Sequence, residues 1–195
     1  MATQERIEKI KNVMKKRQEG IIVFENISDP HNAHASFRSC EAFGFGKIYL
    51  VFDGAQDFNP KNTGKLSSSS ARDWLDFKIF KSAQDCVNDL KENGYKIIGT
   101  SLDADSISLS DANFLETKIA IVFGNERNGI SQTFNDACDQ KIKIPMKGMV
   151  QSLNLSVSAG IILWEITRQR QKQGEAEFLL KDQDSQSLKN KFISQ

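Results

Sequence analysis

Residues 144–160 read IPMKGMVQSLNLSVSAG. An apolar strand end, Ile144-Pro145-Met146, runs through Gly148 into an apolar helix, and between them sit Gln151, Ser152, Leu153 and Asn154. Three of those four residues carry side chains able to hydrogen-bond, and burying such groups without partners costs free energy. The backbone of residues 144–154 offers donors and acceptors that suit an adenine edge and a polar tail without charged side chains. Ser152 and Asn154 would face the contents of that cage. An internally satisfied polar loop is the competing reading. Along the helix, Ser156, Ser158, Ala159 and Gly160 keep one side slim, so that another backbone can come close.

Working outward from this stretch, short apolar runs alternate with helical patterns. Residues 21–24, 48–51, 77–80, 96–100, 119–123 and 141–144 read as strands; 33–43, 83–92, 132–137 and 153–170 read as helices. The alternation predicts an α/β domain, a mostly parallel sheet with helices on both faces. Residues 5–18 read as an amphipathic helix, with Ile7, Ile10 and Met14 on one stripe and Arg6 and Arg17 about three turns apart on its flank. The loop carrying Gly54, Pro60, Gly64 and the serine run 67–70 is too long for a mere connection. Residues 101–117 read as polar loop. Beyond Gly174 the chain is polar, anchored only by Phe178-Leu179-Leu180 and Phe192-Ile193, and is expected to be partly disordered or to pack on a partner subunit. The expected organisation is a basic helical extension over 1–19, a body over 20–172 and a tail over 173–195.

Composition narrows the classes. A chain of 195 residues suits one domain with appendages. No apolar run approaches the ~20 residues of a membrane span, and the start lacks a secretory core, so a cytoplasmic protein is expected. Cys40, Cys86 and Cys138 are odd in number and far apart, which fits reduced thiols and not a disulfide frame or a zinc site. The net charge of +1 argues against holding nucleic acid by bulk charge alone. Basic residues do gather at the two ends, in residues 6–17 and at Arg168, Arg170 and Lys172. Neither G-x-G-x-x-G nor G-x-x-x-x-G-K-[ST] occurs, so the common nucleotide fingerprints are missing.

Two further polar clusters follow strands, where open α/β sheets bind ligands. In ENISDPHNAHASFRS, residues 25–39, Asp29-Pro30-His31-Asn32 reads as a turn with Asn32 as helix cap, and Arg38 lies six residues on. Six residues turn an ideal helix through roughly 240°, so the two meet in one site only if Arg38 reaches back along the axis. His31 and His34 read as structural or solvent-facing. In FGNERNGIS, residues 123–131, Gly124 and Gly129 bracket Asn125-Glu126-Arg127-Asn128. Glycines there allow a tight turn and close approach to a ligand, although a solvated strand-to-helix turn has the same pattern.

Together the three clusters resemble the motifs of the SpoU/TrmH family of RNA 2′-O-methyltransferases, within the SPOUT class. The resemblance runs over about residues 5–172 and rests on N-x(5)-R at Asn32 and Arg38, F-G-x-E-x-x-G at 123–129, and I-P-M-x-G-M-V-Q-S-L-N at 144–154. The last is similar to the TrmH subgroup acting on a guanosine of the tRNA D-loop, as are SSSSARDW at 67–74, KKRQ at 15–18 and RQR at 168–170. What the resemblance implies is a C-terminal trefoil knot at about residues 119–165 and a homodimer formed across it. S-adenosylmethionine would lie bent in the knot, held by backbone at Thr100, Gly124, Ile144 and Leu153 with help from Ser152. Asn32, Arg38, Glu126 and Asn154 would be the catalytic set. Arg6, Arg17, Arg168 and Arg170 would grip tRNA phosphates, and no metal is implied.

The reaction so implied is an in-line methyl transfer to a ribose hydroxyl. It needs alignment and help with one proton. Arg38 would act either as the base or, charged, as stabiliser of the developing alkoxide; a guanidinium normally keeps its proton, so the second role asks less. Another tRNA position, ribosomal RNA and a non-catalytic RNA-binding module remain as alternative readings.

Overall fold

The structure, a computed structural model, describes residues 3–54, 58–60 and 71–194. The serine run 67–70 lies outside the described residues. Seven strands, β1 (Gln18–Glu25), β2 (Phe45–Val51), β3 (Asp76–Phe80), β4 (Lys96–Thr100), β5 (Ile107–Ser108), β6 (Ile119–Phe123) and β7 (Gln140–Lys143), form one sheet. Their order is β3-β2-β1-β6-β4-β7-β5, and every pairing is parallel. Helices α2 (Pro30–Ala42) and α5 (Leu155–Gln173) pack on one face through Phe37, Cys40, Ala159 and Leu163. On the other face, α3 (Ala83–Glu92) and α4 (Gln132–Ala137) pack through Cys86, Val87, Leu90 and Phe134. Alternate residues of β1 serve the two layers, Ile22 and Phe24 one, Ile21 and Val23 the other. A strand covered on both faces has no polar side, so β1 and β6 are buried throughout.

β1 begins three residues before the expected 21–24, and the reason is polar. Gln18 donates through Nε2 to the Phe43 carbonyl (2.7 Å) and to Thr167 Oγ1 (2.9 Å). Glu19 accepts from the Tyr95 hydroxyl (2.6 Å) and pairs with Lys47 (3.3 Å). Partners supplied from distant segments let both be buried, which hydrophobic periodicity does not register. In the stretch read as polar loop, residues 107–108 form the edge strand β5.

Two of the four arginines expected on RNA are structural instead. Arg170 is 1% exposed and donates to the carbonyls of Glu19 (2.7 Å) and Glu116 (2.9 Å), with its guanidinium 4.9 Å from the Phe178 ring centroid. Burial pushes that guanidinium down to about 10, against the pull of Glu19. Arg17, equally buried, pairs with Glu41 at 3.3 Å and donates to the Trp74 carbonyl at 3.1 Å. With both guanidiniums buried inside the molecule, neither is presented to a phosphate at the surface.

The tail is also different from its expectation. α6 (Asp182–Ile193) folds on α1 (Gln4–Met14) of the same chain, where Leu180, Leu188 and Phe192 meet Ile10 and Met14. An antiparallel bridge from Leu179 to Gln18 and ion pairs from Asp184 to Lys47 and from Lys191 to Asp76 fasten it to the body. Leu188 and Phe192 are four residues apart, so a sparse apolar pattern still makes one helical stripe. Among the described residues no helix is long and apolar enough to cross a membrane.

Candidate active site

The carboxyl ends of β4, β6 and β7 open into a cleft of about 490 Å³. All five residues expected to hold a cofactor line it: Thr100 from β4, Gly124 after β6, Ile144 after β7, then Ser152 and Leu153 ahead of α5. Glu126 lines it as well. The wall between β6 and α4 is a tight turn in which Asn125 and Gly129 exchange two backbone hydrogen bonds of 2.9 Å. A Cβ on Gly124 would stand 2.1 Å from the Gly129 carbonyl carbon, so no larger residue fits there. Gly129 itself has φ +69°, in the left-handed region that glycine adopts at no steric cost.

Three of the four expected catalytic residues form one hydrogen-bonded chain. Asn154 donates through Nδ2 to Asn32 Oδ1 (2.9 Å), and Asn32 donates through Nδ2 to Glu126 Oε1 (3.2 Å). Ser28, which the motifs did not single out, donates through Oγ to Glu126 Oε2 (2.9 Å). The local structure explains each position. The cap of α2 is Asp29 and not Asn32: Asp29 accepts from the His31 N–H, Pro30 opens the helix, and Asn32 falls in its first turn. The cap of α5 is Asn154, whose Oδ1 accepts from Ser156 N (2.9 Å) and leaves its amide nitrogen to reach Asn32. Arg38 is exposed on α2, six residues beyond Asn32.

Burial alone would raise the Glu126 carboxyl. Hydrogen bonds from its own backbone, Asn32 and Ser28 outweigh that and hold it below the usual carboxylate range. Glu25 at the end of β1 is buried and shifted upward by desolvation; it anchors the turn by accepting from Ser131 N (2.7 Å). Asn26 follows in the left-handed region (φ 51°), and its carbonyl accepts from Asn125 Nδ2 at 2.6 Å. Asparagine tolerates that conformation better than most residues. β1 is thereby bolted to the turn that carries Glu126.

The remaining expected RNA contacts lie outside the cleft. Arg168, near the end of α5, keeps about half its side chain exposed and makes two bonds to Glu165 of 2.8 and 2.7 Å. Arg6 on α1 is half-buried, 5.7 Å from the Trp74 ring centroid. His34 is buried against Phe37, as a structural reading requires. Among the described residues no cluster of three His, Cys, Asp or Glu side chains is placed for a metal ion.

The cleft fits an adenosyl methyl donor. Its size is within the ~300–1,000 Å³ of small-molecule sites. Ile142, Ile144 and Leu155 offer apolar surface for a base, while Thr100, Ser101 and Gln151 offer polar groups for a ribose and an amino-acid tail.

Known proteins resemble this one in sequence and in fold. A tRNA (guanosine(18)-2′-O)-methyltransferase of Aquifex aeolicus (strain VF5) is 33% identical over 175 residues, 89% of this chain and 81% of the relative. The crystal structure of the A. aeolicus TrmH/SpoU tRNA modifying enzyme superposes with a TM-score of 0.84 at 29% identity, covering 98% of this chain and 96% of that one. The SpoU methyltransferase AviRb from Streptomyces viridochromogenes, in complex with the cofactor AdoMet, gives 0.64 at 27% identity, over 82% of this chain and 61% of that one. Residues 19–164 match the SpoU rRNA Methylase family, and the chain belongs to that family.

Proposed function

We propose that this protein transfers a methyl group from S-adenosylmethionine to a ribose 2′-hydroxyl of tRNA, at a guanosine of the D-loop. The observation that carries the reading is the meeting of all five cofactor positions in one cleft with Glu126, which is linked through Asn32 to Asn154. The curated relative from Aquifex acts on guanosine 18 of tRNA, which supports the choice of substrate. The setting is the cytoplasm, where tRNA is processed.

When bound, S-adenosylmethionine supplies an electrophilic methyl group on a sulfonium. The residues of this chain do the rest. The turn at Gly124 brings backbone close to the cofactor, and Thr100, Ile144, Ser152 and Leu153 complete the wall. The Glu126–Asn32–Asn154 chain fixes side chains at the mouth of the cleft, where the ribose must sit. Charged Arg38 neutralises the developing alkoxide and holds the adjacent phosphate, which lowers the barrier without proton loss from the guanidinium. Arg168 and Arg6, on α5 and α1, contact phosphates further along the RNA, so α1 serves as the binding extension of a catalytic body over 20–172.

Two larger features belong to the same proposal. β7 lies between β4 and β5, so residues 101–106, which join those two strands, must cross it. That crossing supports the trefoil knot, in which the chain after β7 threads an earlier loop. Val157, Ile161 and Trp164 stand exposed at helical spacing on α5, and Met149 and Val150 are exposed in the loop before it; the apolar face of α5 supports the homodimer.

The test is to incubate the protein with labelled methyl donor and unmodified tRNA or ribosomal RNA, then map alkali-resistant linkages. Resistance at a D-loop guanosine is expected. Labelling of ribosomal RNA alone overturns the substrate, and labelling of neither overturns the activity.

A further inference from the structure

Lys141 belongs to none of the three motifs, yet it occupies a particular place. It lies on β7, the strand that residues 101–106 cross on their way from β4 to β5. Its ammonium meets two carboxylates of that crossing segment, Asp105 at 2.7 Å and Asp103 at 3.3 Å. The Lys141 side chain is only 15% exposed, whereas Asp103 and Asp105 are 50% and 65% exposed. The lysine is therefore the fixed partner, and the carboxylates come down to it from the outer segment.

The crossing segment is tied at its two ends by backbone. Thr100 pairs with Ile142 on one side of β7 and Ile107 pairs with the same Ile142 on the other. Ser101 N also donates to the Ile142 carbonyl at 3.1 Å. Between those ends the segment is held to β7 by the ion pairs of Lys141, with the charge of Lys143 also acting on Asp105. The segment matters because Ser101, Leu102 and Asp103 form one wall of the cleft, with Leu102 60% exposed there. Where the wall stands depends on how firmly the segment is held against β7.

We propose that Lys141 is a positioning residue for the methyl-donor site: by clasping Asp103 and Asp105 it sets the wall formed by residues 101–103. The inference rests on the cofactor reading of the cleft. Lys141 does not line the cleft itself. Its effect is expected on cofactor affinity, with the RNA surface on α1 and α5 left as it is.

The test is calorimetric titration of S-adenosylhomocysteine into the full-length wild type, Lys141→Met, Lys141→Arg and Asp103→Asn/Asp105→Asn, with melting temperatures measured alongside. Binding by the wild type is the separate check on the cofactor reading; its absence overturns that reading and the proposal with it. Given wild-type binding, Lys141→Met and the double variant should each weaken it about three- to fivefold, the scale of a partly exposed ion-pair network. Lys141→Arg should restore most of the loss, and KM for tRNA should not move. High salt should weaken the wild type toward the Lys141→Met value and leave that variant unchanged. Wild-type affinity in both charge-removing variants overturns the proposal, as does an equal rise in KM for donor and tRNA. If Lys141→Met fails to fold, the double variant decides alone.

Discussion

Asn154 serves two ends with one amide: its oxygen caps α5 and its nitrogen holds Asn32. Asn154→Asp keeps the capping oxygen but places an acceptor against Asn32 Oδ1. Turnover should fall on the order of a hundredfold from misalignment while the melting temperature changes little; near-normal kcat would remove Asn154 from the site. Arg38→Ala should lose turnover on the order of a hundredfold or more with cofactor affinity retained. Retained turnover would exclude both its roles. Glu126 titrates below the usual carboxylate range, so its contribution to stability is complete above the ordinary value and is lost as pH falls through the lowered one. Glu126→Gln should flatten the acid limb of unfolding. At this scale the motifs made Asn32, Glu126 and Asn154 legible, because each falls at a strand end or helix start. Ser28 was not, since it lies outside all three motifs and its bond to Glu126 appears only in the fold. The phosphate contacts that the resemblance implied for Arg17 and Arg170 do not fit their burial, because the carbonyls that receive them come from remote segments.

The two termini make one element pair, α1 with α6. Leu188→Ala should cost about 2–3 kcal/mol, as for other buried leucines, and loosen α1 as well as α6 in hydrogen exchange. Burial separates the two arginines near the end of α5, Arg170 inside and Arg168 half exposed. Arg170→Met leaves the carbonyls of Glu19 and Glu116 without a donor and should cost about 3 kcal/mol or more. Arg168→Ala should leave the melting temperature unchanged and weaken tRNA binding, with a shallower salt dependence. If the tRNA dissociation constant does not move, Arg168 is not a phosphate contact. Most strands and helices were legible because buried parallel strands are apolar runs and helices carry a 3.6-residue period. α6 was not, since two apolar residues in a polar tail make a stripe only once α1 is there to receive it.

For the whole molecule, sheet order is the feature periodicity cannot supply: the placement of β7 between β4 and β5 comes from long-range pairing. A dimer through the outer face of α5 predicts sedimentation at twice the 21.9 kDa chain mass, reduced to a monomer by Trp164→Glu. The central claim is that the cleft at the ends of β4, β6 and β7 holds the methyl donor. A crystal structure of the protein with S-adenosylhomocysteine tests it most directly. The ligand should lie against Thr100, Gly124, Ile144 and Leu153, its sulfur turned toward Asn154; an empty cleft, or ligand bound elsewhere, would contradict it.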